Sequence, residues 1–163
     1  MNKNIKLAML ENIPSQTMKI INSLMPHIKV INNMKNLPPD TMGEEWNFTE
    51  WSKSGKFIYR SLKEWKLTSY SKLSAAGSEV AKLLNQAFEE MNKAKEAFEL
   101  FQSTPWHEGS PESWQGYWEE LSNAIKDSSL KASEKIIRAS KYYKTDFSSK
   151  ELREEYLKQR KRF

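Results

Sequence analysis

Residues 73–101 read LSAAGSEVAKLLNQAFEEMNKAKEAFELF, and this stretch decides the fold. Leu73, Gly77, Val80, Leu84, Ala87, Met91, Ala94, Phe98 and Phe101 recur at alternating steps of four and three. That is the period of an apolar seam on a helix packed at a shallow angle against another. Four heptads predict a helix of roughly 30 residues, about 45 Å long at 1.5 Å per residue. Its outer face carries Glu79, Lys82, Glu89, Lys93, Glu96 and Glu99, with Glu89 and Lys93 at a favourable spacing of four.

On the N-terminal side a second seam appears. Phe48, Trp51, Gly55, Ile58, Leu62 and Trp65 step three, four, three, four, three. Asn47 with Glu50 resembles a capping box, so this helix is expected over 47–66. Gly55 weakens it but lets another backbone approach closely. Thr68-Ser69-Tyr70-Ser71 either separates the two helices or carries them on with a stutter. Further upstream, Ile20, Ile21, Leu24, Ile28 and Ile31 keep helical spacing, but Pro26 lies inside the pattern. Proline lacks the amide proton and clashes with the preceding turn. Two short helices are therefore predicted, 15–24 and 26–36, with a polar loop over 38–46.

On the C-terminal side, Ser103-Thr104-Pro105 stops the long helix and Ser110-Pro111-Glu112 starts the next. Trp114, Trp118, Leu121, Ile125, Ala132 and Ile136 form its inward face, interrupted at Ser128. Ser148 with Glu151 suggests a last short helix after Asp146, followed by a basic tail. Long helices joined by short loops favour antiparallel neighbours. The expected fold is all-α: a bundle of about five helices, two or three of them long and antiparallel. One helical domain is expected over 1–163, divided into irregular N-terminal helices and loop (1–46), the long-helix bundle (47–146) and a short basic end (147–163).

Composition excludes several function classes. Six Trp, seven Phe and six Tyr are too much apolar surface for a wholly disordered chain. With no Cys there is no disulfide scaffold, thiolate metal site or cysteine nucleophile. His27 and His107 alone cannot build a multi-histidine metal centre. Glycine-rich phosphate loops, nucleophile elbows and zincin helices are absent from the sequence. The adjacent pairs Glu44-Glu45, Glu89-Glu90, Glu119-Glu120 and Glu154-Glu155 point about 100° apart on a helix, so they do not converge on one atom. His27 reads as a packed or capping residue. The expectation is a protein that is not an enzyme and uses no cofactor or metal. No apolar run approaches the ~20 residues that span a bilayer, and no signal peptide is visible. A cytoplasmic location without integral membrane association is expected. Frequent Lys, Asn and Ile suggest a low-GC bacterium or phage as source.

Charge supplies the functional signal. The net charge of +5 divides into +5 over 1–72, −5 over 73–137 and +5 over 138–163. The plain structural reading is that the acidic middle pairs with the basic ends. The functional one starts from Lys53, Lys56, Arg60 and Lys63, which step three, four and three along the side of the 47–66 helix opposite its seam. Tyr59 lies beside them and Lys66 extends the row. Phosphates attract such a row through counterion release, and Tyr59 offers a ring for base stacking. Arg153, Lys158, Arg160, Lys161 and Arg162 add a second basic cluster at the C-terminal end. The expected partner is an acidic protein or a nucleic acid, bound by an adaptor or inhibitor; a homodimer is a further option. Within the cluster Trp46, Trp51, Trp106, Trp114, Tyr117 and Trp118, the loop-flanking Trp106 and Trp114 are interface candidates.

Trp114-Gln115-Gly116 and Tyr142-Tyr-Lys-Thr-Asp146 resemble the Trp-X-Gly and Tyr-xxx-acid elements of the small WXG proteins exported by type VII secretion. The resemblance covers roughly residues 70–146. It implies two antiparallel helical arms joined at the Trp-X-Gly turn, and a secreted or self-assembling protein. This chain departs from the pattern: the motif falls a few residues inside a helix, and residues 1–66 have no counterpart. A further alternative resembles phasins, amphipathic proteins that coat lipid or polyester granules. The narrow seams and conventional polar faces here fit a soluble bundle better.

Overall fold

The computed structural model describes residues 3–33, 51–74, 77–104, 111–147 and 154. Among them the chain is nearly all helical, with no strand and four α-helices. Helix α1 spans Lys3–Asn33, α2 Lys56–Lys66, α3 Glu79–Ser103 and α4 Pro111–Phe147. A π-helical turn, Trp51–Gly55, leads into α2, and a 3-10 turn, Ser69–Ser74, follows it.

Helices α3 and α4 form the central pair. Their connection is short and the Phe101 and Trp118 rings meet beside it, edge to face, with centroids 4.5 Å apart. The two therefore run antiparallel. The α3 seam is buried as its spacing predicts, from Val80 and Leu84 through Met91 and Ala94 to Phe98 and Phe101. On α4 the seam runs Leu121, Ile125, Ser129, Ala132, Ile136, Ala139. The interruption expected at Ser128 falls instead on Ser129, which is buried as the acceptor of a 2.9 Å hydrogen bond from Trp51 Nε1. Ile21, Leu24, Ile28 and Ile31 of α1 and Trp51, Ile58, Leu62 and Trp65 belong to the same buried cluster.

Three local expectations need correction. Pro26 does not break the N-terminal segment, because α1 runs through it. Pro26 and Asn22, whose carbonyl loses its helical partner, both lie on the exposed face, where solvent is free to satisfy that carbonyl. Burial of four large side chains, about 1.5–3 kcal/mol each, outweighs the ~3 kcal/mol cost of the proline.

The seam of residues 73–101 is likewise not one helix. Leu73 is buried but belongs to the 3-10 turn, and exposed Gly77 takes φ +95°, which a glycine adopts without strain. Ser78 then caps α3, its hydroxyl accepting from the Ala81 amide at 3.1 Å. The chain thus breaks between the two helices, and α3 has 25 residues.

Gly55 makes room for a side chain of its own turn. A Cβ there would come within 2.5 Å of the buried Trp51 indole.

The Trp114-Gln115-Gly116 motif lies within α4, as does Tyr142–Asp146, so the Trp-X-Gly element is not the turn between the arms. The 38–46 loop, the Asn47–Glu50 cap and the helix expected after Asp146 lie outside the described residues.

Candidate functional site: a cationic, ring-lined edge between α2 and α3

Residues that follow a seam position by one face the neighbouring helix along the edge of the contact. On α2 these are Tyr59 and Lys66, after Ile58 and Trp65; on α3 they are Phe88, Lys95 and Gln102, after Ala87, Ala94 and Phe101. They meet. The Tyr59 and Phe88 rings stack with centroids 5.7 Å apart and planes 21° apart. Lys95 Nζ lies 5.0 Å from the Tyr59 centroid, and Lys66 Nζ 4.8 Å from that of Phe88. Lys56 Nζ is 5.3 Å from the Phe98 centroid. Higher numbers on α2 meet lower numbers on α3, so these helices also cross antiparallel.

The edge therefore alternates ammonium groups and aromatic faces. Such contacts contribute about 0.5–1 kcal/mol each at exposed sites. Their larger effect is to hold flexible lysines in place while leaving their charge uncancelled. At one end the edge opens into a cleft of about 250 Å³. Trp51 and Phe98 line its apolar part; Lys56, Arg60, Lys95 and Glu99 supply three positive charges and one negative. Glu99 is already engaged, with Oε1 3.2 Å from Lys95 Nζ. That hydrogen bond, followed by the nearby Tyr59, holds the Lys95 ammonium above the ordinary lysine range.

The sequence-predicted residues divide as follows. Lys53, Arg60, Lys63 and Lys66 are exposed, and Lys56 is half-buried against Phe98. Among the described residues none of these five is ion-paired with a carboxylate. Lys82–Glu79 at 3.6 Å, Lys93–Glu90 at 3.4 Å and Lys95–Glu99 each join two residues of α3. Among the described residues no carboxylate of α3 is ion-paired with the α2 row. Tyr59 lies beside the row, with Lys63 Nζ 5.9 Å from its ring centroid, and its ring is stacked on Phe88. Trp114 is half-buried, 6.4 Å from Tyr117. Trp106, Arg153, Lys158, Arg160, Lys161 and Arg162 lie outside the described residues.

Sequence reasoning missed Lys95, which looks like one more residue on a charged outer face. The available signal was its place directly after seam residue Ala94. It also missed the partner of His27. Nδ1 shares a 3.0 Å hydrogen bond with Ser54 Oγ, and the imidazole stacks on Phe57 at 4.2 Å. Ser54 is buried, so the pair acts as a clasp between α1 and the π turn.

Among the described residues no cluster of His, Cys, Asp and Glu has the makings of a metal site, and no helix is long and apolar enough to cross a membrane. No family model, curated protein or solved structure matches this chain.

Proposed function

We propose that this protein is a non-enzymatic binding protein, an adaptor or inhibitor, that docks the basic edge of α2 onto an anionic macromolecule. One observation carries the reading: Lys53, Lys56, Arg60, Lys63 and Lys66 share one short stretch and are paired with no carboxylate among the described residues. Ring faces hold three of the five lysine and arginine heads, which lowers the entropy lost when a ligand orders them. Electrostatic complementarity of this kind steers association and fixes orientation.

Fluorescence anisotropy with labelled duplex DNA and labelled polyglutamate, titrated with the full chain, tests it. Binding to at least one of them, weakened by salt and by the double reversal Arg60→Glu with Lys63→Glu, is the expected result. Circular dichroism establishes that the variant is folded. Failure of the wild-type chain to bind either polyanion at low salt overturns the reading.

A further inference from the structure

We infer that the anionic ligand is a nucleic-acid duplex, gripped through its phosphate backbone, with one phosphate at the mouth of the α2/α3 cleft between Lys56, Arg60 and Lys95. This rests on the proposed docking of the α2 edge and names the ligand class.

The first argument concerns the rings. A protein that grips single-stranded nucleic acid offers aromatic faces on which bases stack. Along the α2/α3 edge those faces are taken, and Phe57, partly exposed on α2, stacks on His27. Trp51 is 0% and Phe98 3% exposed, with centroids 4.5 Å apart. Phe98 also receives Lys56, and Tyr59 carries Phe88 together with Lys63 and Lys95. What the edge presents outward is ammonium and guanidinium groups.

The second argument concerns the alternative of an acidic protein. Protein interfaces take most of their energy from apolar or aromatic anchors in a desolvated centre. Among residues 17–33, 51–74, 77–104 and 114–142, the large exposed apolar side chains are Phe57, Leu67, Leu100 and Tyr142, and none of them lines the cleft. Phosphate contacts need no such anchor. They work by neutralisation and counterion release.

The third argument is dimensional. Lys53 to Lys66 covers roughly 20 Å along the helix at about 1.5 Å per residue. The two strands of a duplex together place about twelve phosphates in that distance, at ~1.7 Å each, and roughly half of them face one side. Five cations on the edge, with Lys95 at its cleft end, match that density. Lys95 has three N–H groups; one is directed at Glu99 and one at the Tyr59 hydroxyl, which leaves a donor for an incoming oxygen.

The contact involves no base edges, so sequence preference is expected to be weak and salt dependence strong. Anisotropy with the full chain, on a labelled duplex DNA of roughly 20 base pairs, its single strand and polyglutamate, between about 50 and 200 mM salt, tests this. The duplex should bind most tightly, with a log–log salt slope of about −4 to −5. Lys56→Gln and Arg60→Gln should each make that slope shallower by about one. Lys131→Gln, an exposed position on α4, should leave it unchanged.

Binding of polyglutamate with neither nucleic acid overturns the duplex assignment but leaves anionic docking intact. Tighter binding of the single strand overturns the backbone-only grip. An equal effect of Lys131→Gln overturns the location. Binding of none of the three probes overturns both this inference and the reading beneath it.

Discussion

Trp51 and Ser129 are 78 residues apart in sequence, yet the indole Nε1–H donates to the serine hydroxyl at 2.9 Å inside the core. Both residues are almost fully buried. The bond fixes the π turn, and therefore the start of α2, against the middle of α4. Ser129→Ala leaves a buried N–H unpaired, at a cost of about 1–3 kcal/mol. At about 2–4 °C per kcal/mol for a chain of this size, the melting temperature should fall by several degrees. Ser128→Ala, at the half-buried neighbour, should change it little. Equal effects of the two substitutions in a thermal melt would remove the bond from the account.

Gly55 carries a related prediction. An added Cβ would lie 2.5 Å from a ring that is fully buried and has nowhere to go. In an ordinary exposed helix Gly→Ala stabilises by up to about 1 kcal/mol. Here overpacking, typically 1–3 kcal/mol, should reverse the sign. Denaturant unfolding of Gly55→Ala should give a lower midpoint, whereas Gly116→Ala, where nothing lies within 4 Å of the new atom, should be neutral or stabilising. A stabilised Gly55→Ala would mean that the indole does not occupy that space.

These contacts mark the limit of what the sequence discloses. The seams were legible because their period repeats: nearly every predicted apolar position from Trp51 to Trp65 and from Val80 to Phe101 is buried. Pro26 misled because its cost is local while the gain, a continuous stripe from Ile21 to Ile31, is summed along the helix. Gly77 fitted the seam by spacing, but its exposed left-handed turn is a backbone property that periodicity does not carry. The cationic row was legible on α2. Its aromatic supports were not, because Phe88 and Phe98 belong to another helix and meet the row only once the two cross antiparallel.

Lys95 and Glu99 set a pH dependence with a definite sign. The hydrogen bond to Glu99, then Tyr59, raises the Lys95 pKa above its ordinary value of about 10.4. A raised folded-state value contributes stability that is fully present below the unfolded value and is lost as pH rises through the folded one. The pair should therefore contribute equally at about pH 6 and pH 9 and fade only above the ordinary lysine range. Nuclear magnetic resonance of dimethylated lysines should show Lys95 titrating late, and Glu99→Gln should move it earlier. A Lys95 that titrates below the other lysines would contradict the geometry. Glu99→Gln should also tighten polyanion binding, because it removes the negative charge lining the cleft.

Tyr59 separates a supporting ring from a base-stacking one. Its face is occupied by Phe88, Lys63 and Lys95, so its task on this account is to hold ammonium groups at the edge. Tyr59→Phe keeps the ring and should keep polyanion affinity. Tyr59→Ala removes the support without changing charge. Two exposed cation–ring contacts of about 0.5–1 kcal/mol set the scale, so a loss of roughly 5- to 30-fold is the upper range. The salt slope should stay the same in Tyr59→Ala, because the number of cations is unchanged and only their placement is loosened. Circular dichroism separates this from unfolding, since loss of the Phe88 stack also costs stability. A Tyr59→Phe variant that weakens as much as Tyr59→Ala would assign the effect to the phenolic hydroxyl, which bonds Lys95, and not to the ring face.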